Sequence, residues 1–175
     1  IRKALAIGAS DAVRIDANPT ASSQVARLIS NYANDKSYDI IFAGKEAIDH
    51  NSSAVPAMIA ECMDLPYVAL ATSIDVDGDV STLNCESTGG TNNVSVNGAF
   101  VLSATKGMSE QRIPNMRGIM SARTKPLTVV EASGVIATTE VSKFTLPPAK
   151  GDCVMVDADN AADLVRLLRE EAKII

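Results

Sequence analysis

Apolar residues in the first third of the chain alternate between helical and strand-like spacing. Positions 1, 4, 5 and 7 are spaced as in the last turns of a helix, which Gly8 would end. The alternating stretch 12–16 predicts a short strand, and the spacing of apolar residues over about 21–33 predicts a helix. The near-continuous apolar run 38–44 is typical of a parallel strand covered on both faces.

A second helix at about 53–63 and a strand at 67–70 complete a strand-helix-strand-helix-strand order. That order predicts an α/β fold with a doubly wound, mainly parallel sheet. From residue 72 the residues alternate around Asp77-Gly78, which predicts an antiparallel hairpin added to the parallel sheet. A turn at 88–90 and further strands at 93–96 and 100–104 should follow.

The last third of the chain has weaker periodicity. Residues 106–126 are predicted to be irregular and basic, and 131–152, which contain Pro147-Pro148, to be an extended arm. An amphipathic helix at about 159–173 closes the chain. The expected organisation is therefore an α/β domain at 1–130 and an arm plus helix at 131–175 that packs on a partner.

Composition excludes several classes of function. The net charge is −5 and aromatic residues make up 3%, which argues against a nucleic-acid-binding surface. Three distant cysteines and one histidine support neither a disulfide framework nor a metal site. No apolar run approaches the roughly 18 residues that a membrane span requires. We expect a protein that does not bind nucleic acid, holds no metal and does not cross a membrane.

The segment between the strand at 38–44 and the next helix is the strongest candidate for a ligand site. In open α/β sheets, ligands bind at the carboxyl ends of the strands, and a helix start offers free N–H groups to a phosphate. Ser52 and Ser53 could cap that helix or bond a phosphate, and Asp49 could bond a ribose or order the loop. The candidate residues are Gly44, Lys45, Glu46, Ala47, Ile48, Asp49, His50, Asn51, Ser52, Ser53, Ala54 and Val55.

Other interpretations of this segment remain open on the residues alone. It also fits an ordinary polar connection with a serine cap, and it lacks the Gly-Lys-Ser/Thr ending of a Walker loop. His50 has no nucleophile beside it in sequence, so we assign it no acid–base role. No catalytic residue is predicted.

Three segments together resemble the small (beta) subunit of electron transfer flavoproteins. They are Ala4 to Ala9, Gly44 to Asp49, and the stretch Glu110-Gln111-Arg112-Ile113-Pro114-Asn115-Met116-Arg117-Gly118-Ile119-Met120. Order and spacing match along the chain, through Pro147-Pro148 and the closing helix. The family's opening strand, helix and second strand have no counterpart here, so we expect sequence to be missing before Ile1.

The resemblance implies a nucleotide-binding domain similar to the adenine nucleotide alpha hydrolases and an electron carrier without bond chemistry of its own. The partner alpha subunit would hold the FAD, and residues 44–55 would bind AMP, or a second FAD in a bifurcating member. It also implies that Glu86 lies on the flavin side of the subunit interface. Arg112 and Met116 would belong to the loop that flavoprotein dehydrogenases recognise.

Some positions depart from the family pattern. His50-Asn51 replaces a more acidic pair, Ala54 a glutamine, and Ile113 a tyrosine. Ser121 to Lys125 lack the lysine-rich character of animal members, which favours a bacterial, cytoplasmic protein; a eukaryotic one would lie in the mitochondrial matrix. The alternatives are a stand-alone adenine-nucleotide-binding α/β protein of the universal-stress type and a nucleotide-free scaffold subunit.

Overall fold

A computed structural model describes all residues, 1–175, and contains five α-helices and seven β-strands. The elements in chain order are α1 (Arg2–Ile7), β1 (Ala12–Asp16), α2 (Ser22–Ala33), a 3-10 turn (Asn34–Lys36), β2 (Ile40–Gly44), α3 (Val55–Cys62), β3 (Tyr67–Asp77), β4 (Val80–Ser87), β5 (Gly90–Asn97), β6 (Phe100–Ala104), α4 (Met116–Ala122), β7 (Leu127–Glu131) and α5 (Ala161–Glu170).

The main sheet has five strands in the order β2-β6-β3-β4-β5. β6 pairs in parallel with β2 and β3, whereas β4 pairs antiparallel with β3 and β5. Gly78 and Gly89 lie in the two hairpin turns with φ of 59° and 83°, values that glycine adopts without strain. The α/β class and the antiparallel hairpin are therefore confirmed, and the sheet is mixed.

β6 lies at the centre of the core, and its residues alternate between two apolar clusters. Phe100 and Leu102 are fully buried in a cluster with residues of β3 and β4. Val101, which points to the opposite face, packs against α2 and α3 through Ala26 and Ile59. In the parallel register of β2 and β6, Gly44 pairs with Ala104, so the carboxyl ends of the two strands lie side by side.

Two features of the sheet differ from the sequence prediction. β2 is an edge strand, and the Phe42 side chain is 56% exposed, so β2 is not covered on both faces. β1 does not join the main sheet but pairs in parallel with β7, a strand that the sequence did not predict. The β-branched residues Thr128, Val129 and Val130 favour that strand.

The prediction that 106–126 are irregular is wrong for α4. The Asn115 side chain caps this helix, because its Oδ1 accepts a hydrogen bond from the Gly118 nitrogen at 2.8 Å. Gly118 lowers the helix propensity of this seven-residue segment, so the sequence did not predict a helix here. Tertiary contact with α1 explains why the glycine is there.

The chain divides into two compact units, Ile1–Val141 and Ser142–Ile175. The first unit extends past residue 130 because the start of the arm hydrogen-bonds to α2. Gln24 Nε2 donates to the Val135 oxygen at 3.0 Å, and Asn31 Nδ2 donates to Ser133 Oγ at 3.0 Å. Part of the predicted arm therefore packs on its own domain.

The second unit contains α5 and extended chain. Asn160 Oδ1 caps α5 by accepting from the Asp163 nitrogen, and Arg166 forms an ion pair with Asp163 at 2.7 Å. No α5 side chain is buried, and Phe144 and Leu146 of the extended stretch are 83% and 94% exposed. Within the chain as a whole, no helix is both long and apolar enough to span a membrane.

Candidate functional site

The carboxyl ends of β2 and β6 form the edge at which the predicted ligand loop begins. Gly44 pairs with Ala104 in the parallel register, and the next residue of the loop continues the ladder. The Lys45 nitrogen donates to the Ala104 oxygen at 3.1 Å. The start of the loop is thus held to β6 by backbone contact.

A cleft of about 310 Å³ opens between the two ends of this loop. Its lining includes eight of the twelve predicted residues, and the turn at 48–51 does not line it. Ile48 is 96% exposed, and the exposed side chains of Asp49 and His50 lie 3.9 Å apart. The lining residues are Ala43, Gly44, Lys45, Glu46, Ala47, Ser52, Ser53, Ala54, Val55 and Pro56.

No serine caps α3, so the expectation that Ser52 or Ser53 caps this helix is wrong. α3 begins at Val55, and the N-cap residue Ala54 provides no side-chain hydrogen bond. Ser53 has φ of 50°, a left-handed conformation, and its Oγ donates to Glu46 Oε2 at 3.2 Å. Ser53 therefore closes the loop across the cleft instead of capping the helix.

The cleft combines open space at the strand end with free backbone nitrogens at the start of α3. A Cβ added to Gly44 would meet no protein atom within 4 Å, so the space above the strand end is open. Because no side chain caps α3, the first-turn nitrogens of Val55 and Ala57 remain free, and Pro56 carries no N–H. Lys45 adds one exposed cation, 3.7 Å from Glu46.

Glu86 lies near the same edge of the sheet, on β4. Thr105 follows β6 directly, and its Oγ1 donates to Glu86 Oε2 at 3.4 Å. The Thr105 nitrogen donates to the Ala71 oxygen of β3 at 3.0 Å. Sequence reasoning missed Thr105, although the same rule that selected Gly44, a position at the carboxyl end of a predicted parallel strand, also applies to it.

α4 and the segment before it expose several apolar side chains. Met116, the first residue of the helix, is 73% exposed, and Ile113 and Met120 are 84% and 65% exposed. The guanidinium of Arg112 lies over Gly8 at the end of α1. A Cβ added to Gly8 would lie only 3.2 Å from Arg112 Nη1. The structure thus presents Met116 to solvent and sets Arg112 beside α1.

The basic residues predicted in this region do not all face solvent. Lys125 Nζ donates to the carbonyl oxygens of Leu5 and Ala9 at 2.9 and 2.6 Å, and so satisfies the end of α1. Arg2 Nη1 donates to the Ala122 oxygen at 2.7 Å. A cleft of about 590 Å³ between α1 and α4 is lined by Arg2, Lys3, Ala6, Pro114, Ile119, Ala122 and Arg123.

Comparison with known proteins places the chain in one family. The family model described as "Electron transfer flavoprotein domain" matches residues 1–135. The chain is 34% identical to the electron transfer flavoprotein subunit beta of Syntrophomonas wolfei over 90% of this chain and 63% of that protein. It is 30% identical to the subunit beta of Bacillus subtilis over 100% of this chain and 74% of that protein.

A mammalian protein gives the same result: the subunit beta of Mus musculus is 31% identical over 99% of this chain and 71% of that protein. The chain thus spans 63% to 74% of the length of these relatives. The resemblance noted in the sequence is confirmed by a match over most of the chain. The chain belongs to the electron transfer flavoprotein domain family.

Proposed function

We propose that this chain is the small subunit of a two-subunit electron transfer flavoprotein. It would carry electrons from flavoprotein dehydrogenases by way of an FAD held mainly by an alpha subunit. The observation that supports this most is the match of residues 1–135 to the family, together with relatives named subunit beta in bacteria and a mammal. In a bacterium we expect the complex in the cytoplasm, and in a eukaryote in the mitochondrial matrix.

The chain is proposed to act as a carrier and not as an enzyme. FAD supplies the redox chemistry when it is bound in the complex, and this chain would shield and orient it. Glu86, held by Thr105 at 3.4 Å, is the residue proposed to face the flavin side of the subunit interface. The single histidine, His50, is exposed and is assigned no proton transfer.

An adenine nucleotide, most simply AMP, is proposed to bind in the cleft of the 44–55 loop. The open space at Gly44, the free nitrogens at the start of α3 and the exposed Lys45 support this proposal. Lys45 and the helix start would bind the phosphate, and the Ser53–Glu46 hydrogen bond would hold the loop in shape. A second FAD with the same adenine moiety would use the same residues.

α4 is proposed as the docking site for dehydrogenases. Met116 is exposed, Ile113 three residues before it is exposed too, and Arg117 is next in sequence, so an apolar contact would be combined with positive charge. Apolar burial supplies affinity, and cations steer an acidic partner. Arg112 would contribute to the same surface.

Co-expression with an alpha subunit tests the carrier function directly. We expect a stable complex with visible flavin absorbance that a dehydrogenase and its substrate bleach. A chain that purifies alone with bound adenine nucleotide, and recruits no flavin protein, would instead support the stand-alone nucleotide-binding alternative. A complex that forms without flavin would support the scaffold alternative.

A further inference from the structure

Two methionine side chains lie exposed on one face of α4. Met116 and Met120 are four residues apart, so they are neighbours on the helix surface. They are 73% and 65% exposed, whereas Met58 is 37% exposed and Met63 and Met108 are half-buried. Within the unit Ile1–Val141, an oxidant in solution therefore reaches these two sulfur atoms most easily.

We propose that Met116 and Met120 form a reversible oxidation site that controls docking of the electron donor at α4. This proposal rests on the docking function proposed above. The oxidant is hydrogen peroxide: one oxygen atom is transferred to the thioether sulfur, the O–O bond breaks, an S–O bond forms, and the peroxide is reduced to water. The thioether loses two electrons, and a methionine sulfoxide reductase with a thiol reductant restores it.

Oxidation of these two side chains would change the apolar surface proposed for docking. Ile119, which is 44% exposed, lies three residues after Met116 on α4, and Ile113, which is 84% exposed, lies three residues before the helix. A sulfoxide oxygen is a strong hydrogen-bond acceptor, and burying it against an apolar partner without a donor is unfavourable. Oxidation would therefore weaken docking while it leaves the domain folded, because neither methionine belongs to the two core clusters.

The first experiment maps the modification in the complex of the full chain with an alpha subunit. The complex is exposed to dilute hydrogen peroxide, and sulfoxide is measured for each methionine by peptide mass spectrometry. We expect Met116 and Met120 to oxidise about tenfold faster than Met63 and Met108, as their exposure dictates. Equal rates for all four would overturn the assignment.

The second experiment measures electron uptake from a dehydrogenase before and after peroxide treatment, as a ratio for each variant. The unsubstituted complex should lose about fivefold or more at limiting concentration, and a sulfoxide reductase should restore it. The double variant M116L/M120L, which cannot form these sulfoxides, should show a ratio near one. The control variant M155L, whose methionine is 85% exposed in the second unit, should respond like the unsubstituted complex.

The outcomes separate this inference from the docking proposal. If Met116→Ala slows electron uptake but peroxide treatment does not, docking at α4 stands and the oxidation site is wrong. If Met116→Ala has no effect on uptake, docking at α4 is wrong, and control of docking by oxidation falls with it. If M155L, and not M116L/M120L, protects the complex, the sensitive methionine lies elsewhere and the assignment is also wrong.

Discussion

Gly118 of α4 lies directly against the backbone carbonyl of Ala6 in α1. A Cβ at Gly118 would overlap the Ala6 oxygen and would also lie 3.3 Å from Asn115 Oδ1. The glycine therefore sets the distance between the two helices. Arg2 of α1 donates to the Ala122 oxygen at the end of α4, and Lys125, three residues after α4, donates to the Leu5 oxygen of α1. Together with the glycine contact, these hydrogen bonds hold in place the helix that carries Met116.

The first prediction concerns the stability of this contact. Gly118→Ala should lower the free energy of unfolding by about 1–3 kcal/mol, because the backbone of α1 must move to accept the methyl group. Thermal unfolding measures the effect. Gly134→Ala is the matched control, since a Cβ there meets no atom within 4 Å, and it should be nearly neutral. Equal stability of both variants would show that the helices separate at little cost.

The sequence predicted the elements that local spacing determines, and it missed those that depend on contacts between distant residues. Periodicity predicted β2, β6 and the hairpin, because local spacing and turn glycines such as Gly78 determine them. α4 was missed because its stability comes from the Asn115 cap and from α1, which is distant in sequence. Likewise, the pairing of β1 with β7 joins residues more than a hundred positions apart, which periodicity does not reveal.

The candidate site was predictable to a similar extent. The position of Gly44 at the end of a parallel strand followed from the order of elements. The hydrogen bond between Ser53 and Glu46 did not, because it depends on the left-handed conformation of Ser53, which a non-glycine residue rarely adopts. The contact between Thr105 and Glu86 was not predictable for a different reason: it depends on the order of the strands in the sheet.

The second prediction concerns Cys85, which is 5% exposed on β4. Burial raises the pKa of its thiol, so the folded protein keeps the proton at a pH where the unfolded chain has lost it. The unfolded chain then binds fewer protons, and stability falls as pH rises above about 8.5, the ordinary pKa of a thiol. Urea unfolding in the presence of reductant should show this decrease, and Cys85→Ala should show a smaller one.

The other cysteines provide the control for Cys85. Cys62 and Cys153 are exposed, so an alkylating reagent should modify them in the folded protein and modify Cys85 only after unfolding. Rapid labelling of Cys85 in the native state would mean that the β3–β4 region opens easily. The pH dependence would then have to come from another group.

The third prediction is that the second unit packs on the alpha subunit. Phe144 and Leu146 are 83% and 94% exposed, and an apolar extended segment gains little that offsets its ordering entropy unless a partner covers it. Trypsin should cut after Lys143 and Lys150 in the lone chain and spare both sites in the complex. Lys3, which is exposed in the first unit, serves as the comparison site. Equal cleavage of the arm in both states would contradict the prediction.

The fourth prediction tests the nucleotide cleft. Gly44→Val should reduce the adenine nucleotide released on denaturation by about tenfold, because the new side chain fills space that the protein leaves open beside the strand end. Thermal stability should change little in the nucleotide-free chain, since the added Cβ meets no protein atom within 4 Å. Ser53→Asp should have a similar effect through repulsion, as it places a carboxylate near the phosphate and near Glu46.

A variant at the turn of the same loop provides the control for the nucleotide cleft. Ile48 is 96% exposed and does not line the cleft, so Ile48→Ala should retain the nucleotide. If Gly44→Val and Ser53→Asp both retain nucleotide at the level of Ile48→Ala, the ligand binds elsewhere or is absent. Loss in all three variants would mean that the whole loop, and not the cleft, contacts the ligand.

The last prediction concerns Met116 as the contact for electron donors. Burying a methionine side chain contributes about 1.5–3 kcal/mol, so Met116→Ala should lower the efficiency of electron transfer from a dehydrogenase by about tenfold or more at limiting concentration. Because Met116 is 73% exposed, its truncation should leave the melting temperature nearly unchanged. FAD content and reduction by dithionite should also be unchanged.

Met58→Ala is the matched control, because it removes the same side chain from α3, where it is 37% exposed. This variant should transfer electrons as the unsubstituted complex does. If Arg112 and Arg117 steer an acidic donor, raising the ionic strength should slow electron transfer in both the Met58→Ala variant and the unsubstituted complex, since salt screens exposed charges. If Met116→Ala instead lowers the melting temperature and leaves transfer intact, Met116 supports the α1–α4 packing and donors dock at another surface.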